Sequence, residues 1–121
     1  MTTDSPDVFD WARSWIEKCN QDHPRCRNEF VSLRMKTYLP LRLIDIDGNT
    51  SDGTVRVLPT AQVLPGNPQV DYCALSHCWG GANGFKLTKT NLATLATGIQ
   101  THSLPQTFRD AISATGKLGM R

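Results

Sequence analysis

The side chains best suited to chemistry in this 121-residue sequence belong to its four cysteines and three histidines. Three of these residues are closely spaced, as Cys19-x3-His23-x2-Cys26. Two thiolates and an imidazole are typical zinc ligands, and a structural site needs a fourth. The residues available for that position are Cys73, His77 and Cys78. Structural zinc sites usually pair two knuckles, and Cys19 falls on the apolar side of a predicted helix. The sequence therefore predicts no metal site, with a small zinc-stabilised domain as the alternative.

A second set of candidate residues forms a loop after an apolar run. Ser76 offers a hydroxyl, Trp79 offers a stacking face, and Gly80 and Gly81 permit close approach of a ligand to the backbone. No lysine is placed as in a phosphate-binding P-loop, and a tryptophan followed by two glycines also suits a buried anchor and a tight turn. We weight the structural role above ligand binding and keep these four residues as ligand-binding candidates.

Cys78 beside His77 has the residue types of a thiolate nucleophile and its base. Neighbours in an extended segment point to opposite sides, so the two side chains do not form a useful pair. A remote base such as His23 or His102 has no evident acid or asparagine to orient it. No catalytic residue is therefore identified.

The composition restricts the classes of protein to consider. Hydrophobic residues make up 39% of the chain and charged residues 20%, which is typical of one globular domain. The net charge of +2 comes from scattered residues, with no basic run that would bind nucleic acid. No stretch reaches the about 18 apolar residues of a membrane span, and the N-terminus lacks a secretory signal. We expect a cytoplasmic protein with free thiols.

The clearest predicted element is an N-terminal helix. Ser5-Pro6 suits its start, and Pro24 lies at or just beyond its end. One face carries an apolar stripe made of Val8, Trp11, Ala12, Trp15, Ile16 and Cys19. Such a stripe must pack against the rest of the fold or against a partner. Residues 27–38 show no convincing period.

The middle of the chain predicts strands. Residues 41–46 and 54–58 indicate a hairpin, because two Asp-Gly steps between them favour a loop with positive φ. Residues 59–70 contain three prolines and predict an exposed connection. The apolar run at residues 72–75 predicts a buried central strand that ends in the loop at residues 76–81.

The last third of the chain predicts two helices. Residues 87–95 suit a short helix that is weakened by threonines and Asn91. Ser103 and Gln106 match a capping box, and apolar residues then follow at helical spacing up to Gly119.

Five sequence blocks in a fixed order resemble the fungal heterokaryon incompatibility (HET) domain, a cell-death module of filamentous fungi. The blocks are LPLRLIDI (39–46), VRVL (55–58), YCALSHCWGG (72–81), LTKTNL (87–92) and LPQTFRDAI (104–112). The segment from Cys19 to Cys26 is similar to a stretch often found ahead of that domain. One departure is His77, where the family usually has tyrosine.

The resemblance implies an α/β fold. HET domains look like distant relatives of Toll/interleukin-receptor (TIR) domains, so we expect a partial TIR-like or flavodoxin-like sheet with flanking helices, preceded by the N-terminal helix and the hairpin. The expected division is an N-terminal helix with its lead-in at residues 1–38 and an incomplete HET domain at residues 39–121. In the family, a further strand and helices follow a position like Arg121.

The resemblance also implies a function in non-self recognition, a form of innate immunity that ends in programmed cell death. The module would act through association with protein partners or with copies of itself. An NAD-consuming TIR-like enzyme is the alternative. The glutamate that supports NAD cleavage in such enzymes would lie beyond Arg121, and the glutamates here, Glu17 and Glu29, are upstream of the matched blocks. We therefore expect no cofactor for this chain, and NAD only for a longer relative.

Overall fold

The computed structural model describes residues 2–26, 39–46, 53–63, 72–78, 80–81 and 84–121. These residues form a mixed α/β structure with a three-stranded antiparallel sheet in the order β1-β2-β3. Its elements in chain order are α1 (Pro6–Asp22), β1 (Arg42–Asp45), β2 (Thr54–Pro59), α2 (Thr60–Val63), α3 (Leu92–Thr97), β3 (Ile99–Gln100), a 3-10 turn (Thr101–Ser103) and α4 (Gln106–Lys117). The mixed α/β class is as predicted, whereas the described strands pair antiparallel.

Helix α1 confirms the predicted N-terminal helix. Ser5 has an extended backbone at the N-cap, and Pro6 occupies the first turn, where its missing N–H costs nothing. At the other end, the His23 N–H donates to the Cys19 carbonyl at 3.0 Å. The expected packing of the apolar stripe is only partial, because Trp11 and Trp15 are 55% and 69% exposed.

Helix α1 contacts the end of α4 through one lysine. The Lys117 ammonium lies 5.0 Å from the centroid of the Phe9 ring and pairs with the Asp4 carboxylate. The Arg13 guanidinium donates a hydrogen bond to the Lys117 carbonyl. A cation over an aromatic face and a capped C-terminal carbonyl are both stabilising, so these contacts join the two ends of the described chain.

The predicted hairpin is confirmed as β1 paired antiparallel with β2. The register places Ile44 opposite Val57 and Asp45 opposite Arg56. Because side chains alternate along a strand, one face carries the apolar pair and the other carries the charged pair. The Asp45 carboxylate is buried and accepts a 2.7 Å hydrogen bond from Arg56. Arg121 approaches the same carboxylate at 3.6 Å.

The sequence analysis did not predict the third strand. The two residues of β3 pair with β2, with Ile99 opposite Val55 and Gln100 opposite Thr54. Gly98 precedes them with φ +138°, and a Cβ there would lie 2.7 Å from the Thr54 methyl group. Only glycine allows this approach, so the turn from α3 into the sheet depends on that residue.

The predicted central strand at residues 72–75 is wrong. Residues 72–78 have no regular secondary structure, and Tyr72 and Leu75 are 40% and 50% exposed. An apolar run becomes a buried strand only when neighbouring strands satisfy its backbone groups. On the edge of β2 that faces away from β1, β3 pairs with Thr54 and Val55 alone, and no described strand pairs with residues 72–78.

Both later helices exist, with different starts from those predicted. Helix α3 begins at Leu92 rather than near 87, because Thr88 and Asn91 form a turn in which the Thr88 N–H donates to the Asn91 side chain at 2.8 Å. The predicted capping box is also wrong. The Ser103 hydroxyl donates to the Gln100 carbonyl, and α4 begins at Gln106 after Pro105.

The end of α4 matches the predicted stop at Gly119. Gly119 has φ +76°, the Met120 N–H donates to the Thr115 carbonyl, and the Gly119 N–H donates to the Gly116 carbonyl. These two bonds make a Schellman motif, in which glycine adopts the left-handed conformation without strain. Among the described helices, none combines the length and the apolar character that a membrane crossing requires.

Candidate functional site

An open apolar cavity of about 940 Å³ lies between the sheet, α4 and the segment at residues 72–75. Its walls come from sequence-distant elements: the sheet supplies Ile44, Val55, Val57 and Ile99, and α4 supplies Phe108, Ala111 and Ile112. Cavities of this size are typical of ligand sites, and an apolar lining suits an apolar ligand or protein side chains. The cavity is therefore the first candidate site.

The strand register explains why the cavity wall is apolar. The cross-strand pairs Ile44–Val57 and Val55–Ile99 lie on the same face of the sheet, and all four side chains line the cavity. The opposite face carries the ion pair between Asp45 and Arg56. The alternation in TVRVL thus places Val55 and Val57 on the cavity face and Arg56 on the other.

The segment at residues 72–78 is attached to the far side of the cavity by two side chains. The His77 ring lies edge-on to Phe108 of α4, with the ring centroids 5.3 Å apart and the planes at 87°. The Cys73 sulfur lies 3.0 Å from the Met120 sulfur. Edge-to-face rings and sulfur contacts are each weakly stabilising, so this segment forms a wall without belonging to the sheet.

The rim of the cavity is unusually apolar for a protein surface. Its exposed large side chains are Ile44 (51%), Tyr72 (40%), Leu75 (50%), Phe85 (37%) and Leu87 (45%). By contrast, the buried apolar residues of the described chain are Val55, Leu95 and Leu104. A contiguous exposed apolar patch next to a small core is typical of an interaction surface.

The predicted loop at residues 76–81 is placed only in part. Ser76, Gly80 and Gly81 are exposed, and a Cβ added at either glycine would meet nothing within 4 Å. Gly80 has φ +62°, which favours glycine, whereas close packing does not require either residue. Trp79 lies outside the described residues. The structure therefore supports a turn at Gly80 and leaves ligand binding by this loop as a prediction.

The three N-terminal candidates come together at the end of α1. The Cys19 and Cys26 sulfurs are 3.3 Å apart, and His23 Nδ1 lies 3.4 Å from the Cys19 sulfur. One ligand atom from each residue falls within 4.8 Å of the others. The hydrogen bond that Cys19 donates to Cys26 raises the pKa of the Cys19 thiol, with further contributions from desolvation and from the charges of Cys26 and Asp22.

Two of the residues considered for a fourth ligand are engaged elsewhere. Cys73 contacts Met120, and His77 contacts Phe108, both on the wall of the cavity. The His77 ring is thus turned to α4, whereas a nucleophile and base would need it to face the exposed Cys78.

Sequence reasoning missed the cavity, although one signal for it was present. The alternation of Val55 and Val57 with Arg56 predicts one apolar sheet face. The elements that cover that face, α3 and α4, are distant from it in sequence. Because residues 72–75 were predicted to be a buried strand, no open cavity was expected beside them.

The later part of the chain matches one known family. The family described as heterokaryon incompatibility protein (HET) matches residues 72–121, which contain three of the five blocks noted in the sequence. No curated protein and no solved structure matches this chain.

Proposed function

We propose that this chain is a module of fungal non-self recognition whose output is programmed cell death, because residues 72–121 match the heterokaryon incompatibility family. The family match is the observation that carries the proposal. The proposal does not depend on a strand at residues 72–75, since the family match rests on sequence. The relation to TIR domains is part of the same proposal and is supported by sequence resemblance alone.

The module acts by protein association through the open apolar cavity. The cavity is bounded by Tyr72, Leu75 and Phe85, and exposed aromatic side chains beside a pocket are the usual anchors of protein interfaces. The partner is a second protein or another copy that inserts apolar side chains. The lining is mainly apolar, and its charged residues Arg42, Lys86 and Arg121 are all basic, so the apolar side chains of a partner are its main fit.

The proposal is tested by inducible expression of the chain in a filamentous fungus. We expect growth arrest and uptake of a dye that enters only dead cells, compared with an empty vector. Leu75→Asp should suppress the response, because association would bury the new charge. Ser113→Asp is the matched control, since Ser113 is exposed on α4 and away from the cavity lining. Normal growth at full expression of the unmodified chain would refute the proposal.

A further inference from the structure

A cluster of three potential metal ligands at the C-terminal end of α1 is not used by the proposed function. Cys19 lies in the last turns of the helix, His23 is its C-cap, and Cys26 follows in a turn closed by a 2.8 Å bond from the Cys26 N–H to the His23 carbonyl. The i, i+4 spacing places Cys19 and His23 on one side of the helix. The turn then returns Cys26 to the same side.

We propose that Cys19, His23 and Cys26 bind one Zn²⁺ ion, with the fourth coordination position open to water or to a ligand from outside the cluster. The three ligand atoms lie within 4.8 Å of one another, so small side-chain rotations bring them to the about 2.3 Å zinc–sulfur and about 2.0 Å zinc–nitrogen distances of a tetrahedral site. The sulfur-to-sulfur distance of 3.3 Å needs only a small expansion.

The charges at the helix end permit zinc to bind. The C-terminus of a 17-residue helix carries partial negative charge, and Asp22 in its last turn is paired with Lys18 at 3.9 Å. Two thiolates and Zn²⁺ sum to zero charge, so the bound cluster adds no net charge to this end. His23 and Cys26 are exposed, and zinc can therefore enter from solvent.

Bound zinc would join the last turn of α1 to the residues that follow it. The unfolded chain does not hold the three ligands together, so metal binding stabilises the folded helix end. A Cys19–Cys26 disulfide would also join these residues, but it would remove both thiolates, and the stability of the chain would not respond to added zinc. The zinc proposal is also independent of the cavity and of the proposed role in cell death.

The test is a metal titration of the full chain, purified metal-free and kept reduced. Cobalt(II) is added first, and its thiolate absorption reports binding to cysteine. Zinc is then added to displace cobalt, and elemental analysis gives the stoichiometry. We expect one zinc per chain, and zinc affinity at least about 100-fold weaker in Cys26→Ser and His23→Ala, since even outer-shell changes cost about 10- to 100-fold.

The matched control is Cys78→Ser, which removes another exposed cysteine outside the cluster and should leave zinc affinity unchanged. Circular dichroism of each variant without metal checks that α1 is still formed. The proposal is overturned if the unmodified chain binds no stoichiometric zinc, if Cys26→Ser and Cys78→Ser bind zinc equally, or if mass spectrometry of the reduced preparation finds a Cys19–Cys26 disulfide.

Discussion

The cysteine and histidine cluster and the apolar cavity are built in opposite ways. The cluster joins residues seven positions apart, from Cys19 to Cys26, and one helix end with its following turn is sufficient to form it. The cavity joins β1 to α4, so Ile44 and Phe108 meet only after the sheet and helices are assembled. The first site should therefore survive perturbations of the sheet that destroy the second.

The largest expected effect is the destabilisation caused by a substitution at Gly98, which packs against β2 of the sheet. Gly98→Ala places a Cβ 2.7 Å from the Thr54 methyl group at φ +138°, so strain and overlap together should lower the free energy of unfolding by about 3 kcal/mol. Urea unfolding followed by circular dichroism measures the change. Gly81→Ala is the control, because nothing lies near its Cβ position, and an equal loss in both variants would contradict the packing at Gly98.

The second largest expected effect is the stabilisation of the cysteine and histidine cluster by zinc. At a free concentration of 100 times its Kd, a ligand that binds only the folded state adds about 2.7 kcal/mol to the free energy of unfolding. We expect this gain in the unmodified chain and none in Cys26→Ser, as measured by urea unfolding with and without zinc. Zinc-induced stabilisation of both proteins would place the metal elsewhere.

A smaller effect is expected on the charged face of the sheet. Arg56→Ala removes the 2.7 Å partner of the buried Asp45 carboxylate, and we expect a loss of about 1.5 kcal/mol in the free energy of unfolding. Lys89→Ala, at an exposed position on a turn, is the control and should be neutral. If Arg56→Ala is neutral as well, solvent screens the pair and it does not stabilise the hairpin.

The smallest expected effect concerns NAD. The loop around Ser76 is exposed and separate from the cavity lining, so we expect no nicotinamide release when the chain is incubated with NAD. Chromatography of the products measures this, with Ser76→Ala beside the unmodified chain. Steady release that disappears in Ser76→Ala would favour the enzyme alternative over the association module.

Features that depend on neighbouring residues could be predicted from the sequence, whereas features that depend on distant residues could not. Helix α1 and the hairpin were correctly predicted, since Pro6, the apolar stripe and the alternation around Arg56 are local signals. The contact of Cys19 with His23 follows from the i, i+4 spacing, whereas Cys26 reaches them through the turn after α1. Strand β3 has only two residues and gives no periodic signal.

The failures share a physical cause. The run at residues 72–75 has the composition of a buried strand, but composition does not determine whether a partner strand lies beside it, and none of the described strands does. The capping box failed because Ser103 belongs to the 3-10 turn at Thr101–Ser103 and the N-cap of α4 is Pro105. The cavity could not be derived, because its opening depends on the relative positions of β1, β2 and α4.

The role of the cavity is tested most directly by the fungal death assay with Leu75→Asp and Ser113→Asp at equal protein levels. Burying an aspartate in an apolar contact costs about 2 kcal/mol or more, which weakens association at least about tenfold, so Leu75→Asp should reduce the fraction of dye-positive cells. Ser113→Asp should kill as the unmodified chain does. Equal killing by both variants would contradict the claim that the module acts through this cavity.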